Sequence, residues 1–159
     1  MNIITDTNNK ILRSKTAPVE KITAEIKTFI KDMLALMIKE KGVGLSANQV
    51  GFPFQIIVFS DVDHKKQYAL INPSILKTSK KECEMEEACL SVLNTFGMVK
   101  RPEKIIVEGK NIDGKKVRYK FKGILARVVQ HELDHLEGIL FTDKAYNIHQ
   151  QNKQIENGL

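Results

Sequence analysis

Gln130–Gly138 reads QHELDHLEG: two of the chain's four histidines stand four residues apart, with a glutamate directly after the first. On a helix, positions i and i+4 lie on one face about a turn apart, so His131 and His135 can direct two imidazoles at one ion. Glu132 sits one residue on, beside that face, where a carboxylate can act on water. Gln130 and Asp134 are placed to orient the ligands. A His-Glu-x-x-His also arises by chance in a solvated helix, but here Leu125, Val128, Val129 and Leu136 surround it. The period predicts a buried helix over Gly123–Gly138, in which two idle histidines would be costly.

Two histidines need a third protein ligand. One common zinc pattern would place a histidine at position 141, which is Phe141. Downstream only Glu156 and His149 remain, in a polar terminal stretch with too few apolar residues to dock. Upstream, EEACLS offers Cys89, whose thiolate suits a borderline metal. The same cysteine reads equally well as a small buried hydrophobe. A third stretch, GVGLSANQVG (Gly42–Gly51), has three glycines that let backbone approach a ligand closely. It also carries Gln49, whose amide can donate to a developing oxyanion.

The rest of the chain bounds the setting. At 159 residues it is the size of one domain, read as a single unit over 1–159 with a short polar tail over 143–159. No apolar run approaches the roughly 20 residues of a membrane span. MNIITDTNNK has no apolar core behind a basic start, so no secretory signal is read, and the expected compartment is the cytoplasm. Cys83 and Cys89 are six residues apart, which is neither a disulfide framework nor Cys-x-x-Cys. On a strand both would share a face. Net charge is +6, yet Lys and Arg are scattered, the longest runs being pairs such as Lys65-Lys66 and Lys115-Lys116. That reads as a solvated surface, with loose attraction to a ribosome or other polyanion and no sequence-specific nucleic acid. No membrane partner is expected, and a monomer is.

Ile22, Ile26, Phe29, Ile30, Met33 and Met37 form one apolar helical stripe, with Thr23 the expected cap and Gly42 the expected stop. Strands are read at Phe54–Ser60, Tyr68–Leu76, Lys104–Gly109 and Lys116–Phe121, the last two joined through Asp113-Gly114. Helix, several strands, helix is an order that favours α+β.

Gly42–Gln49, Glu87-Ala88-Cys89-Leu90-Ser91 and Gln130–His135, in this order and at these separations, together resemble the peptide deformylase family. INPSIL, RPEKI and the residues after Leu136 extend the likeness over roughly residues 3 to 143. The resemblance implies an α+β fold of antiparallel strands packed around a central helix that carries the His-Glu-x-x-His motif and binds metal. It implies a metal-dependent hydrolase acting on a linear amide, which removes the formyl group from N-formylmethionyl nascent peptides. Carried over by position, Cys89, His131 and His135 are the metal ligands and Glu132 is the general base and then acid. Gln49 and the Leu90 N–H are the oxyanion donors. Gly42, Val43 and Gly44 pair with substrate, and Val43 and Val128 line the methionine pocket. The implied cofactor is one divalent ion, Fe²⁺ first, with Zn²⁺, Ni²⁺ or Co²⁺ as substitutes. Ala88, Ser46, Asn48, Leu93 and Phe96 depart from the family's common residues. Ala88 is expected to be extended and therefore unstrained. The long basic C-terminal helix with which many relatives dock on the ribosome is not expected here, which leaves only weak ribosome association. The rival readings are a general zinc peptidase of the same chemistry and a catalytically silent, deformylase-like binding module.

Overall fold

Apolar residues recur every three or four positions from Ile26 to Met37, and the chain there is helical. In the computed structural model, which describes residues 1–151, α1 spans Ala24–Lys39. The Thr23 hydroxyl accepts from the Ile26 N–H at 3.4 Å and caps its start. The expected stop at Gly42 is corrected. Lys41 takes the left-handed conformation (φ 56°), while the Lys41 and Gly42 amides donate to Ile38 and Met37 carbonyls. Gly42 answers a different need, since a Cβ there would stand 2.8 Å from the Leu90 side chain.

The strands are β1 (Gly44–Ser46), β2 (Ile56–Ser60), β3 (Gln67–Thr78), β4 (Glu82–Cys89), β5 (Val92–Pro102), β6 (Lys104–Lys110), β7 (Lys116–Lys122) and β8 (Tyr146–Gln150). The second helix, α2 (Gly123–Leu136), lies between β7 and β8 in the chain. One sheet runs β1-β2-β3-β6-β7 and the other β4-β5-β8, with antiparallel pairing throughout. This is an α+β arrangement of antiparallel sheets with few helices.

The larger sheet is covered on both faces at β2. Phe29, Ile30, Met33 and Met37 of α1 pack on Ile56, Val58 and Ile71. On the opposite face Ile57, Phe59, Leu70, Val107 and Phe121 meet Ala126, Val128 and Val129 of α2. Strand β2 is therefore buried along its whole length, which is why IIVFS reads as an unbroken apolar run. Each such large side chain contributes roughly 1.5–3 kcal/mol by burial. α2 also touches β5 of the smaller sheet, so it lies where the two sheets meet. It ends on Gly138 (φ 74°), whose amide and that of Ile139 bond back to His135 and Asp134 carbonyls.

The expected tail also changes. Part of the stretch expected as a polar tail over 143–159 is a strand, because β8 pairs with β5 through Thr95, Phe96 and Met98. Its side chains are all exposed, so backbone pairing rather than burial holds it. Glu156 lies outside the described residues. No helix among the described residues is long and apolar enough to cross a membrane.

Candidate metal centre

Helix α2 brings His131 and His135 to one face, and β4 delivers Cys89 to the same point. Cys89 Sγ lies 3.2 Å from His135 Nε2, which lies 3.2 Å from His131 Nε2. All three ligand atoms fall within 4.8 Å of one another. A tetrahedral ion with bonds of ~2.0–2.3 Å holds its ligand atoms ~3.4–3.6 Å apart, so the spacing fits a metal within a few tenths of an ångström. The thiol and two imidazoles are also the donor set that a borderline divalent ion prefers. Cys89, open as ligand or hydrophobe from the sequence, thus stands with the two histidines. His149 does not, since it lies on β8 beside Glu86.

Ala88 is not among the residues with positive φ, as expected. Pairing with β5 shifts between Glu87 and Cys89, but the extra residues lie on β5, and the regular alternation of β4 keeps the Cys89 thiol on the same inward phase as Glu87.

The residue that orients the ligands is Glu87, which the sequence reading did not single out. Its Oε2 lies 2.9 Å from His131 Nδ1, leaving His131 Nε2 for the ion. Glu87 also receives two bonds from Arg101, at 2.6 and 2.9 Å, and one from Arg127 at 2.6 Å. Burial would push the Glu87 carboxyl up, but the bonds from Arg101 and His131 outweigh it and hold it well below its ordinary range. Two proposed orienters are corrected. Gln130 donates to the Pro102 and Ala126 carbonyls instead, and Asp134 acts only at one remove, by bonding Arg101 and Lys144. The available signal for Glu87 was a carboxylate on the inward phase of β4, two residues before Cys89. For Arg127 it was a cation inside the apolar run of α2.

Burial opposes charge on His131, yet hydrogen bonds with Cys89 and Glu87 raise it to about 10. For His135, burial and the neighbouring His131 charge push the other way, well below its ordinary value. Glu132 is buried beside them, and burial lifts its carboxyl to about 7. A cation held by the three ligands would oppose that rise. Glu132 Oε2 has no protein partner.

Above the ligands lies a cavity of about 380 Å³ lined by Gly42, Val43, Gly44, Gln49, Cys89, Leu90, Val128, His131 and Glu132. Of the expected ligand, catalytic and substrate-binding residues, only His135 is not on its wall, because it is fully buried beneath. Gln49 is held in one orientation. Its Oε1 accepts from the Ser46 amide and hydroxyl, both at 2.9 Å, which turns the Nε2 donors toward Cys89 Sγ (3.5 Å) and Ser91 Oγ (3.1 Å). Asn48 donates to the His135 carbonyl, so the departures at Ser46 and Asn48 brace the site. A Cβ on Gly44 would overlap Glu132 Oε1 and stand 2.8 Å from Val128, so only glycine fits there.

Comparison with known proteins places this arrangement. The family model for polypeptide deformylase matches residues 1–151. Peptide deformylase of Halothermothrix orenii is 46% identical over 138 residues, which is 87% of this chain and 89% of that one. The crystal structure of a peptide deformylase from Synechococcus elongatus in complex with actinonin superposes with a TM-score of 0.87 at 36% identity, covering 92% of this chain and 79% of that one. A probable peptide deformylase from Synechococcus phage S-SSM7 gives 0.84 at 39% identity, covering 91% and 99%.

Proposed function

The chain belongs to the peptide deformylase family, enzymes that act on formylated nascent peptides, and from that premise we infer what its own residues do. The observation that carries the reading is the convergence, under one cavity, of Cys89, His131 and His135 with the oriented Gln49 amide and the unpartnered Glu132 oxygen.

Cys89 on β4 and His131 and His135 on the central helix α2 would hold the ion. When bound, a divalent ion there supplies Lewis acidity, polarising a carbonyl and making water a stronger nucleophile near neutral pH. Gly42–Gly44 offer the open edge of the larger sheet, to which the substrate backbone adds as a short strand. The methionine side chain then lies against Val43 and Val128. Glu132 takes the proton of the attacking water as the water oxygen bonds the formyl carbon. Gln49 Nε2–H and the Leu90 N–H donate to the oxygen that gains charge. Glu132 returns the proton to the leaving nitrogen as the C–N bond breaks, giving formate and a free amine. Formyl is the smallest acyl group, so a tight pocket rejects acetyl by sterics.

The finer reading follows from the chain's length and composition and from its resemblance to the family. The ion is Fe²⁺, with Zn²⁺, Ni²⁺ or Co²⁺ as substitutes, and residues 1–159 act as one domain. The enzyme is a monomer in the cytoplasm that associates only weakly with the ribosome.

The test is formate release from formyl-Met-Ala-Ser by apo protein loaded anaerobically with each metal. Formate release is expected, fastest with Fe²⁺, and Glu132→Ala should keep its metal while slowing roughly 10²–10⁴-fold. Loss of metal in step with activity would make Glu132 a ligand. Cleavage of unformylated peptides without formate release would favour a general zinc peptidase, and metal binding without turnover a silent binding module.

A further inference from the structure

Cations that are scattered along the sequence are gathered by the larger sheet. In β6 and β7 the buried residues Ile105, Val107 and Phe121 face α2. Alternation turns Lys104 and Lys110 of β6 to the opposite face, together with Lys116, Arg118, Lys120 and Lys122 of β7. Ion pairs of Lys116 (3.3 Å) and Arg118 (3.1 Å) with Glu108 confirm that these residues share a face. Lys77 of β3 stands opposite Ile106 and joins them. All seven cations are exposed. The face thus holds seven cations and one carboxylate, Glu108. Taking these from the chain's 25 Lys and Arg and 19 Asp and Glu leaves 18 of each, so the whole net charge of +6 resides on this face. At its rim Glu103 is paired with Lys81 at 3.0 Å.

Two explanations that need no ligand fail. Lysines on an edge strand prevent unwanted strand addition, and β7 is an edge, but Lys77 and Lys104 lie on the interior strands β3 and β6. A merely solvated face would also avoid like charges directly opposite, which destabilise a sheet. Here Lys104 faces Lys122 and Lys110 faces Lys116. A depression of about 520 Å³ opens over Ile105, Ile106 and Phe121, ringed by Lys77, Lys104, Lys120 and Lys122.

We propose that this basic sheet face binds the phosphate backbone of helical RNA. Along β7 the cations recur every second residue, about 7 Å apart, which makes a row of charge rather than a single anion site. Protein partners bury a centre that is charge-poor as well as apolar, whereas the apolar floor here is ringed by four lysines. Membrane surfaces call for apolar side chains to insert, and here there are only half-buried Ile106 and neighbouring Leu76, since Tyr119 and Phe121 point toward α2. No aromatic ring is offered for stacking, so contact is with backbone and not with bases. The choice of RNA among polyphosphates rests on the function proposed above, because nascent chains are made on an RNA-rich particle; the phosphate chemistry does not rest on it. The face lies across the sheet from α2, so bound RNA leaves the cavity open.

The experiment is anisotropy of a labelled RNA duplex titrated with metal-loaded protein from 50 to 200 mM salt. Five of the cations are free of Glu108, so log Kd should change with log salt with a slope of about 4, weakening binding roughly 10²–10³-fold over that range. Lys104→Glu, Lys120→Glu and Lys122→Glu together should weaken binding at least tenfold at 100 mM salt and reduce the slope to about 2. Formate release from formyl-Met-Ala-Ser should stay within twofold, which also shows that the variant is folded. If it does not, the corresponding glutamine variant replaces it, with the same direction expected. Lys10→Glu, Lys15→Glu and Lys100→Glu together make the same change in net charge elsewhere and should bind RNA far better than the first variant. Equal loss in both triple variants would overturn the proposal, as would binding of phosphatidylserine vesicles or polyglutamate with none of RNA. Absence of formate release from wild type would strike the catalytic reading and leave the RNA result to stand or fall separately.

Discussion

Removing the Glu87 carboxylate tests whether the centre is built by the ion pairs beneath it. The side chains of Glu87, Arg101 and Arg127 are 5%, 4% and 7% exposed, so none can turn to water when a partner is lost. Breaking a buried pair by deleting one member costs about 3–5 kcal/mol, because the other charge is left uncompensated. Arg101 keeps Asp134 at 2.7 Å, and Arg127 keeps the Val99 and Cys83 carbonyls. These surviving bonds place Glu87→Ala at the lower end, about 3 kcal/mol. Glu87→Gln keeps the shape but weakens charge-assisted bonds, at about 1.5–3 kcal/mol. The assay is urea unfolding of the metal-free proteins. With a denaturant dependence of about 1–3 kcal/mol per molar, the Glu87→Ala midpoint should fall by roughly 1–3 M. A second reading comes from chelator competition. Without Glu87 the His131 ring is no longer held through Nδ1, and metal affinity should drop about 10–100-fold in either variant. If Glu87→Ala unfolds within about 1 kcal/mol of wild type and binds metal equally well, the network is neither a support nor an orienter.

Cys89→Ala should lose metal affinity by orders of magnitude while Cys83→Ala keeps it, because Cys83 meets Arg127 rather than the histidines; equal, tight binding by Cys89→Ala in a metal titration would reopen the third ligand. Gly44→Ala should retain metal but lose at least about tenfold in kcat, since its Cβ displaces Glu132 and Val128; kcat within threefold of wild type would refute the close fit. The Asp143 carboxyl is held below its ordinary 3.8: burial pushes it up, but the bond from Arg13 and the Leu140 amide outweigh that. A carboxyl depressed on folding stabilises above its unfolded pKa and loses that contribution as pH falls through the folded one. Asp143→Asn should therefore be less stable than wild type at pH 7 and converge with it only as pH falls below 3.8 and through the lowered folded value in paired urea titrations; a constant gap at all pH values would show that charge is not the cause.

How much of this was legible in the chain depends on whether a segment's own side chains report its environment. α1 and α2 were legible because each shows the helical apolar period against one sheet face. β2, β3, β6 and β7 were legible because they carry β-branched and aromatic residues over a core. β1 was missed because three residues are too few for a pattern. β4 alternates Cys83, Met85, Glu87 and Cys89 inward, and the carboxylate in that row disguises the strand. β5 is broken by Asn94 at φ 53° and a register shift, and β8 forms by backbone pairing without burial.

The sequence by itself determined the chemistry of the centre: His131, Glu132 and His135 are fixed relative to one another by helical spacing, a local property. It also supplied the candidates Cys89 and Gln49, in motifs whose residue types limit what they can do. Only the tertiary structure decided that Cys89 meets the histidines, 42 and 46 positions along the chain, and that Glu87, Arg101 and Arg127 lock them in place. Such partners are joined by strand pairing and burial, which leave no periodic trace in either segment. The same holds for charge. Lysines that look dispersed along the chain become one face when antiparallel pairing brings β3, β6 and β7 side by side, because register, not sequence neighbourhood, sets the distance between them.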